Sequence, residues 1–549
     1  MAWYDEAIFY HIYPLGMTGA PKQNTYGEPE HRLNTLLPFV SQIKKLGFNA
    51  LYIGPLFESV GHGYETTDYK KLDTRLGTNK DLTDFVAECH KQGIRVVLDG
   101  VFNHTGRDFF AFKDIRQHRE ASIYKDWYCN VNFCGNNEYN DGFSYDNWGG
   151  YNLLAKLNQH SSDVRDYICD VVRFWVNEFD IDGIRLDAAD VLEFDYMQML
   201  RQVANEVKPD FWLMGEVIHG DYVRWVNGDT LHSVTNYHLH KALYSGHNDH
   251  NYFEIAHTVK RLYEMGGNRP AGLKLYNFVD NHDVERIYTK LSVKSHFVPV
   301  HILLYTLPGI PSVYYGSEFG IDGKKQYGSD DSLRPAVSYE QYINATACSG
   351  FTNLISRLGE IRFETKALSY GDYKELFLTN RQYAFERCFD GQRVLVTVNN
   401  DDNDFVMNLP AQSADEYVGG ISGVRVRAKD GCLSVNVEAN SGEIWLPVCS
   451  GEKEIEPVSI NFEIEPIKAD NPAEAPQVSA PKKEPEDSGR TESVDLRQNK
   501  TFEEMSVEEL QEAILDRMKR NGPVTEQMKR DVMENVYHNS LVTWIKSFN

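Results

Sequence analysis

The sequence predicts an α/β protein built on a (β/α)8 TIM barrel, with a small subdomain inserted after the third strand, a C-terminal antiparallel β-sandwich and a short helical appendage. Three observations lead to this prediction. Short apolar runs alternate with helical periodicity from residue 7 to about 365, a long polar segment follows the third run, and the helical period disappears after about residue 368. A chain of 549 residues is also too long for one hydrophobic core.

Eight short apolar runs are typical of buried parallel strands, and most are separated by segments with helical spacing. Eight strand–helix units over about 350 residues favour a closed barrel. An open doubly wound sheet is the alternative, but no Gly-rich phosphate loop follows the first run. The predicted strands are Ala7–Tyr13, Ala50–Ile53, Arg95–Val101, Gly183–Asp187, Phe211–Val217, Ser233–His238, Lys274–Val279 and Ile310–Tyr315.

The connection after the third strand is unusually long, at roughly 60 residues rich in Asn, Gly and Tyr. A structureless loop of that length is rare, so we expect an inserted subdomain there. The predicted barrel therefore comprises residues 1–103 and 160–367, and the insertion comprises residues 104–159.

Residues 368–450 carry the signals of a β-sandwich, with strand-like runs such as Val394–Val398 and a turn at Asp390-Gly391. Pro447 cannot donate a backbone hydrogen bond, so we expect the run that contains it to be an edge strand.

Residues 451–500 are dominated by Pro and charged residues, so they are predicted to be a linker. Residues 501–549 form the predicted appendage. The Ser506-x-x-Glu509 capping box indicates a first helix, and a second helical segment begins near Thr525.

The chain is strongly acidic: 56 Lys and Arg oppose 80 Asp and Glu, giving a formal charge of −24. This charge repels phosphate backbones and anionic lipid, so we expect neither nucleic acid nor a membrane as partner. The first residues lack a basic stretch followed by an apolar run, and no segment approaches 18 continuous apolar residues. These features predict a cytoplasmic protein.

Four predicted strands end in acidic residues, and in a barrel of this type such strand ends meet at one mouth. An unpaired carboxylate is costly to bury, so four at one mouth indicate a shared task. Convergent carboxylates suit glycoside cleavage, whose cationic transition state they stabilise. The four residues are Asp99, Asp187, Glu216 and Asp283.

The segments around these carboxylates resemble the signature regions of the α-amylase family of glycoside hydrolases, in the same order. Further similarity lies in Gly63–Tyr69, in Gly309–Gly316 and in Asp330-x-x-x-Arg334. The resemblance covers about residues 5–450.

The resemblance implies Asp187 as the nucleophile, Glu216 as the general acid/base and Asp283 as the third carboxylate, which binds sugar hydroxyls. It also implies a set of substrate-binding residues, of which Arg185 orients the nucleophile and Tyr64 stacks under the sugar. This set is Tyr64, His104, Arg185, His282, Asp330 and Arg334.

Asp99 and Asn103 are expected to support the site. The family requires no cofactor, but Asn103 lies where some members bind structural calcium, so calcium at Asn103 is an alternative. A plain surface ion pair is the alternative for Asp330 and Arg334.

Lys156-Leu157-Asn158 resembles a segment of the neopullulanase, cyclomaltodextrinase and maltogenic amylase group. That group carries an extra N-terminal β-domain that supports dimers; here the first strand begins near residue 7, which leaves monomer and homodimer both open. The resemblance implies cleavage of α-1,4 bonds, with α-1,6 bonds as a further target, in maltodextrins, cyclodextrins or pullulan.

Two other functions compete with hydrolysis. A glucanotransferase or glucosyl isomerase would use the same covalent intermediate. A non-catalytic carbohydrate-binding scaffold is more remote, because such barrels commonly lose carboxylates that this chain retains.

Overall fold

The computed structural model describes residues 2–267, 272–326, 329–411, 414–448, 455–459, 494–495, 500–501 and 507–521. The chain divides into two compact units, Met1–Pro472 and Ala473–Asn549. Among the described residues, no helix has both the length and the apolar character needed to cross a bilayer.

Eight parallel strands form the centre of the first unit, as the sequence predicts. Neighbours in the sheet follow the order β6-β5-β4-β3-β2-β1-β8-β7. A parallel bridge between Thr235 and Tyr276 joins the two ends and closes the barrel. The strands are β1 (Phe9–Ile12), β2 (Ala50–Ile53), β3 (Arg95–Gly100), β4 (Gly183–Leu186), β5 (Trp212–Gly215), β6 (Ser233–Val234), β7 (Tyr276–Phe278) and β8 (Ile310–Tyr314).

Thirteen described helices belong to this unit, and most cover the outer face of the barrel. In chain order, α1 to α13 are Pro14–Met17, Leu37–Lys45, Asn79–Lys91, Phe110–His118, Ser162–Phe179, Phe194–Val207, Tyr237–Asn248, Tyr252–Met265, Ile287–Lys290, Phe297–Thr306, Tyr339–Cys348, Gly350–Glu364 and Lys366–Tyr370.

Alternation along the barrel strands separates two apolar layers, because successive strand side chains point to opposite faces. Phe9, Tyr52, Val97 and Trp212 belong to a cluster that fills the barrel interior. Their strand neighbours, such as Leu98, join the larger core between strands and helices. The next inward positions, at the carboxyl ends of the strands, are therefore the ones that line the mouth.

The sixth strand is shorter than the sequence predicts. The apolar pattern favours a strand to His238, but β6 ends at Val234 and α7 begins at Tyr237. Asn236 explains the difference, because its side-chain oxygen accepts a hydrogen bond from the Leu239 amide at 3.1 Å and caps the helix.

The segment after β3 forms its own small antiparallel sheet, with Tyr151–Lys156 between His104–Gly106 and Asn147–Trp148. A second hairpin, Phe57–Ser59 with Thr66–Leu72, carries Tyr64 in its loop. Both structures lie next to the carboxyl ends of strands, where they can border a site. The domain limits inferred from the sequence stay predictions.

After α13 the chain forms two antiparallel sheets that enclose a second core. One has the strand order β9-β10-β11-β16-β13-β14, and the other pairs β12 with β15. Leu395 and Trp445 from the first sheet share an apolar cluster with Met407 and Leu433 from the second. The strands β9 to β16 are Asp372–Leu378, Gln382–Phe389, Gln392–Asn399, Phe405–Pro410, Glu416–Gly419, Arg425–Arg427, Cys432–Val437 and Ser441–Pro447.

The prediction of an edge strand around Pro447 is wrong, because β16 lies between β11 and β13. Pairing of β16 with β11 ends at Trp445, two residues before the proline. On the other side, the Val448 amide donates to the Glu416 carbonyl at 2.9 Å and continues the ladder. The strand tolerates Pro447 because no pairing is required of its nitrogen.

In the second unit, Val494–Asp495 pairs antiparallel with Lys500–Thr501. A helix spans Val507–Asn521, where the capping box predicts one. Most of the predicted linker, and the helical segment predicted from Thr525, lie outside the described residues.

A buried glutamate after β8 predicts a pH-dependent stability. Burial raises the pKa of Glu318 to about 7. The Tyr10 hydroxyl lies 2.6 Å from Glu318 Oε1, and its hydrogen bond opposes part of this rise. The pKa of Glu318 is higher in the folded protein than in the unfolded chain, so the protonated carboxyl contributes its full stability below pH 4.5. That contribution is lost as pH rises through 7. The loss amounts to about 3 kcal/mol.

Glu318→Gln, which cannot ionise, should therefore reduce the fall in unfolding midpoint between pH 5 and pH 8. Glu364→Gln, on an exposed part of α12, is the matched control and should retain the slope of the unsubstituted protein. Equal slopes for Glu318→Gln and the unsubstituted protein would contradict the assignment.

Candidate active site

The carboxylates predicted to meet do so, because strand alternation directs them inward. In β4, Ile184 and Leu186 enter the outer core, so Arg185 and the following Asp187 face the barrel axis. In β5, Trp212 and Met214 point inward, and two residues later so does Glu216. These carboxylates therefore lie directly above the filled interior of the barrel.

A single guanidinium connects three of the acidic residues. Arg185 is buried; its Nη1 lies 2.9 Å from Asp99 Oδ1 and 2.9 Å from Asp187 Oδ1. Its Nη2 lies 2.8 Å from Glu216 Oε2. Asp187 and Glu216 therefore contact the two ends of one planar group, which fixes both carboxylates around a common point.

The residue after Asp187 adds a backbone contact. Ala188 has φ 47° and ψ 44°, a left-handed conformation that is uncommon for a residue with a Cβ. Its amide donates to Glu216 Oε2 at 3.3 Å. Strained backbone of this kind concentrates at functional sites.

Asp283 lies on the opposite side of the mouth with two basic partners. His282 Nε2 is 2.9 Å from Asp283 Oδ2, and Arg334 Nη2 is 2.8 Å from Oδ1. Arg334 also donates to the His282 carbonyl at 2.9 Å and lies 3.4 Å from Asp330. The Asp330–Arg334 pair is therefore bonded to this group, which argues against an isolated surface pair.

Asp280 precedes Asp283 in the same segment but has a different environment. Its Oδ2 accepts from Ser317 Oγ at 2.7 Å and from the Ile287 amide at 2.8 Å. It therefore anchors α9 and the turn after β8, while Asp283 remains at the mouth.

Tyr64 spans the two sides of the site. Its hydroxyl donates to Asp99 Oδ2 at 3.1 Å and is hydrogen-bonded to His282 Nε2. The Tyr64 and His282 rings are nearly parallel, with centroids 5.8 Å apart and 13° between planes. Asp99 accepts a further bond from Tyr52 at 2.8 Å, so it is fully engaged below the mouth.

His104 is buried, and its Nε2 has no hydrogen-bond partner among the described residues. Its ring lies 5.9 Å from the ring of Trp148, which belongs to the inserted sheet and is partly exposed. The imidazole therefore keeps a polar atom that a sugar hydroxyl could satisfy.

Asn103 makes side-chain contacts within the protein, and calcium at this residue stays a prediction. Its side-chain oxygen accepts from Gln159 at 3.3 Å, and its amide nitrogen lies 3.2 Å from His104 Nδ1. Within the described part of the chain, no three His, Cys, Asp or Glu side chains converge as metal ligands. Asn103 instead links the inserted segment to the base of the site.

Burial raises the pKa of both Asp187 and Glu216, although the positive charge of Arg185 opposes the rise. Each also experiences neighbouring negative charge, from Glu216 on Asp187 and from Asp283 on Glu216. Burial would raise the pKa of Asp283 too, but His282 and Arg334 outweigh it and hold that pKa well below its usual range. One proton can thus reside on the Asp187–Glu216 pair while Asp283 is ionised.

Sequence reasoning missed Tyr237 and Asn281. The Tyr237 hydroxyl lies 3.3 Å from Glu216 Oε1, and Asn281 Nδ2 lies 3.3 Å from the same hydroxyl. Asn281 lies in the segment Asp280–Asp283, which resembles a family signature, so the sequence offered a signal for it. No sequence signal pointed to Tyr237, because it falls within a predicted strand and 21 residues from Glu216.

The described fold and sequence match known proteins. The family pattern of the alpha amylase catalytic domain matches residues 37–360. A cyclomaltodextrinase of a Bacillus species is 32% identical over 429 residues, which are 73% of this chain and 74% of that protein. Neopullulanase 2 of Thermoactinomyces vulgaris is 28% identical over 471 residues, 80% of this chain and 78% of the relative.

Solved structures agree with these relatives. A cyclomaltodextrinase structure superposes with a TM-score of 0.71 at 27% identity, covering 81% of this chain and 78% of the other. The family match, these relatives and the closed eight-stranded barrel together support one assignment. The chain belongs to the alpha-amylase family and is a glycoside hydrolase of the cyclomaltodextrinase and neopullulanase type.

Proposed function

We propose that the protein hydrolyses α-1,4-glucosidic bonds of short α-glucans with retention of anomeric configuration. One observation carries the proposal: Asp187 and Glu216 contact the two ends of the Arg185 guanidinium. A retaining mechanism needs two carboxyl groups about 5–5.5 Å apart, one as nucleophile and one as acid. Two carboxylates held by one guanidinium suit that spacing.

In the first step, an Asp187 oxygen bonds to the anomeric carbon while the bond from that carbon to the leaving oxygen breaks. Glu216 transfers its proton to the leaving oxygen. In the second step, Glu216 takes a proton from water, the water oxygen bonds to the anomeric carbon, and Asp187 is released. No cofactor takes part, as is general for the alpha-amylase family.

The other predicted residues support the reacting sugar. Arg185 orients Asp187, and its positive charge favours the ionised form of that carboxylate against the burial that raises its pKa. Asp283, His282 and His104 offer polar atoms to sugar hydroxyls, and Tyr64 offers a ring face. Arg334 and Asp330 extend this surface toward the next sugar.

The substrates we propose are maltodextrins, cyclodextrins or pullulan, with α-1,6 cleavage as an additional activity. The names of the relatives point to this group: cyclomaltodextrinase, neopullulanase 2 and, in Bacillus subtilis, intracellular maltogenic amylase. We further propose that the enzyme works inside the cell.

The proposal predicts the products of maltotriose cleavage. NMR during the first turnovers should detect product with the new reducing end in the α configuration. Thin-layer chromatography should then show glucose and maltose, and parallel reactions with cyclodextrin, pullulan and soluble starch would rank the substrates. A β product would overturn the retaining mechanism, and predominance of longer oligomers would identify a glucanotransferase instead.

A further inference from the structure

The two carboxylate oxygens of Glu216 have different surroundings. Oε2 lies 2.8 Å from Arg185 Nη2 and accepts from the Ala188 amide at 3.3 Å. Oε1 contacts the hydroxyl of Tyr237 at 3.3 Å. Both partners of Oε2 are obligate N–H donors. Tyr237 is the partner of Oε1.

The direction of the Tyr237 hydrogen bond follows from Asn281. The Asn281 side-chain oxygen accepts from the amides of Asp283, at 2.9 Å, and Val284, at 3.1 Å. These two contacts fix the amide orientation, so it is Nδ2 that faces the Tyr237 hydroxyl at 3.3 Å. That hydroxyl accepts from Asn281 and has one hydrogen, which is directed to Glu216.

The fold holds Tyr237 in place. It begins α7, directly after the cap Asn236, whose amide donates to Asn277 Oδ1 at 2.8 Å. The ring of Tyr237 packs edge-on against Phe278, with centroids 5.0 Å apart. Burial raises the pKa of Tyr237 well above its usual value, so the hydroxyl remains a donor across the working pH range.

We propose that Tyr237 is a positioning residue for Glu216: the chain from Asn281 to Tyr237 to Glu216 orients the carboxyl through a hydrogen bond donated to Oε1. This rests on the acid/base role proposed above for Glu216. The ends of β6 and β7 are thereby coupled to the end of β5.

Besides the Ala188 amide, which donates to Oε2, the electrostatic consequence depends on the titratable and charged groups that face Glu216. These are Arg185 and Asp187 from the end of β4, His282 and Asp283 from the end of β7, and Tyr237 from α7. Of these, Arg185 and Tyr237 bond to the carboxyl directly. A hydrogen bond stabilises a carboxylate more than the neutral acid, so loss of the Tyr237 donor should raise the pKa of Glu216.

Tyr237→Phe removes the hydroxyl and keeps the ring. A weaker acid protonates the leaving oxygen more slowly, so kcat/KM for maltotriose should fall about threefold. The basic limb of its pH profile should move upward by about half a unit. For 4-nitrophenyl α-maltoside, whose leaving group needs little protonation, kcat/KM should fall less than about twofold.

The matched control is Tyr244→Phe, on the same helix but with its ring against Lys290 Nζ at 4.0 Å. This substitution should leave kcat/KM for both substrates, and the pH profile, unchanged. Circular dichroism and the melting midpoint of each variant would show that the fold is retained.

A second variant, Asn281→Asp, tests the direction of the chain. A carboxylate still accepts from the Asp283 and Val284 amides but cannot donate, so the Tyr237 hydroxyl would turn toward it. Maltotriose cleavage should again fall more than aryl maltoside cleavage. In the Tyr237→Phe background the extra loss should be smaller, because the donor is already gone.

The outcomes separate this inference from the proposed function. If Tyr237→Phe lowers kcat/KM equally for both substrates, or keeps the pH profile of the unsubstituted enzyme, the positioning role of Tyr237 is overturned. The proposed acid/base role of Glu216 would stand in either case. Additive losses in the double variant would also overturn it. If Glu216→Gln itself retains full activity, the proposed function fails first.

Discussion

Asp187→Asn should lower turnover of maltotriose by about 10⁴-fold or more, because an amide cannot form the glycosyl ester on which both chemical steps depend. The amide oxygen can keep the 2.9 Å contact with Arg185, so the mouth should retain its shape. Initial rates at saturating maltotriose, with circular dichroism and melting curves for each protein, would measure the effect.

Asp195→Asn is the control for this change. Asp195 lies in the first turn of α6, where it pairs with Arg165 at the surface. Its substitution should change turnover less than twofold, since surface ion pairs contribute little. Turnover of Asp187→Asn within tenfold of the unsubstituted enzyme, with the fold intact, would remove Asp187 as the nucleophile.

Glu216→Gln should have the next largest effect, a loss of about 10²–10⁴-fold in kcat/KM for maltotriose, since the leaving oxygen would depart without a proton. The loss should be much smaller for 4-nitrophenyl α-maltoside. The single oxygen of Gln can accept from Tyr237, but its amide nitrogen then faces the Arg185 guanidinium and the Ala188 amide, where Glu216 now presents Oε2.

The pH profile gives a second measurement on Glu216. Burial raises the pKa of Glu216, so its protonated, active form persists to higher pH than an ordinary carboxyl would allow. The basic limb of kcat/KM for maltotriose should reflect this and disappear in Glu216→Gln. A basic limb that survives the substitution would assign the titration to another group.

Much of the fold could be predicted from sequence because it depends on patterns local to each segment. The apolar runs of β1 to β5, β7 and β8 are short, and most are separated by segments with helical spacing. Where the pattern misled, a specific contact decided the outcome. Asn236 capped a helix inside an apolar run, and the ladder around Pro447 ended before its nitrogen was needed.

The acidic residues of the site were predicted for a related reason. A carboxylate at the end of an apolar strand is conspicuous, and strand alternation directs it to the mouth. The sequence did not distinguish the environments of Asp280 and Asp283. Their difference arises from Ser317 and the Ile287 amide on one side and Arg334 on the other.

By itself, the sequence determined the barrel, the sandwich and the acidic residues of the mouth, because periodicity and strand-end chemistry are properties of neighbouring residues. Only the tertiary structure decided which of these carboxylates share Arg185, and that Tyr237 reaches Glu216 across 21 positions. Contacts between strand ends depend on barrel closure, and closure brings together residues that no local pattern connects.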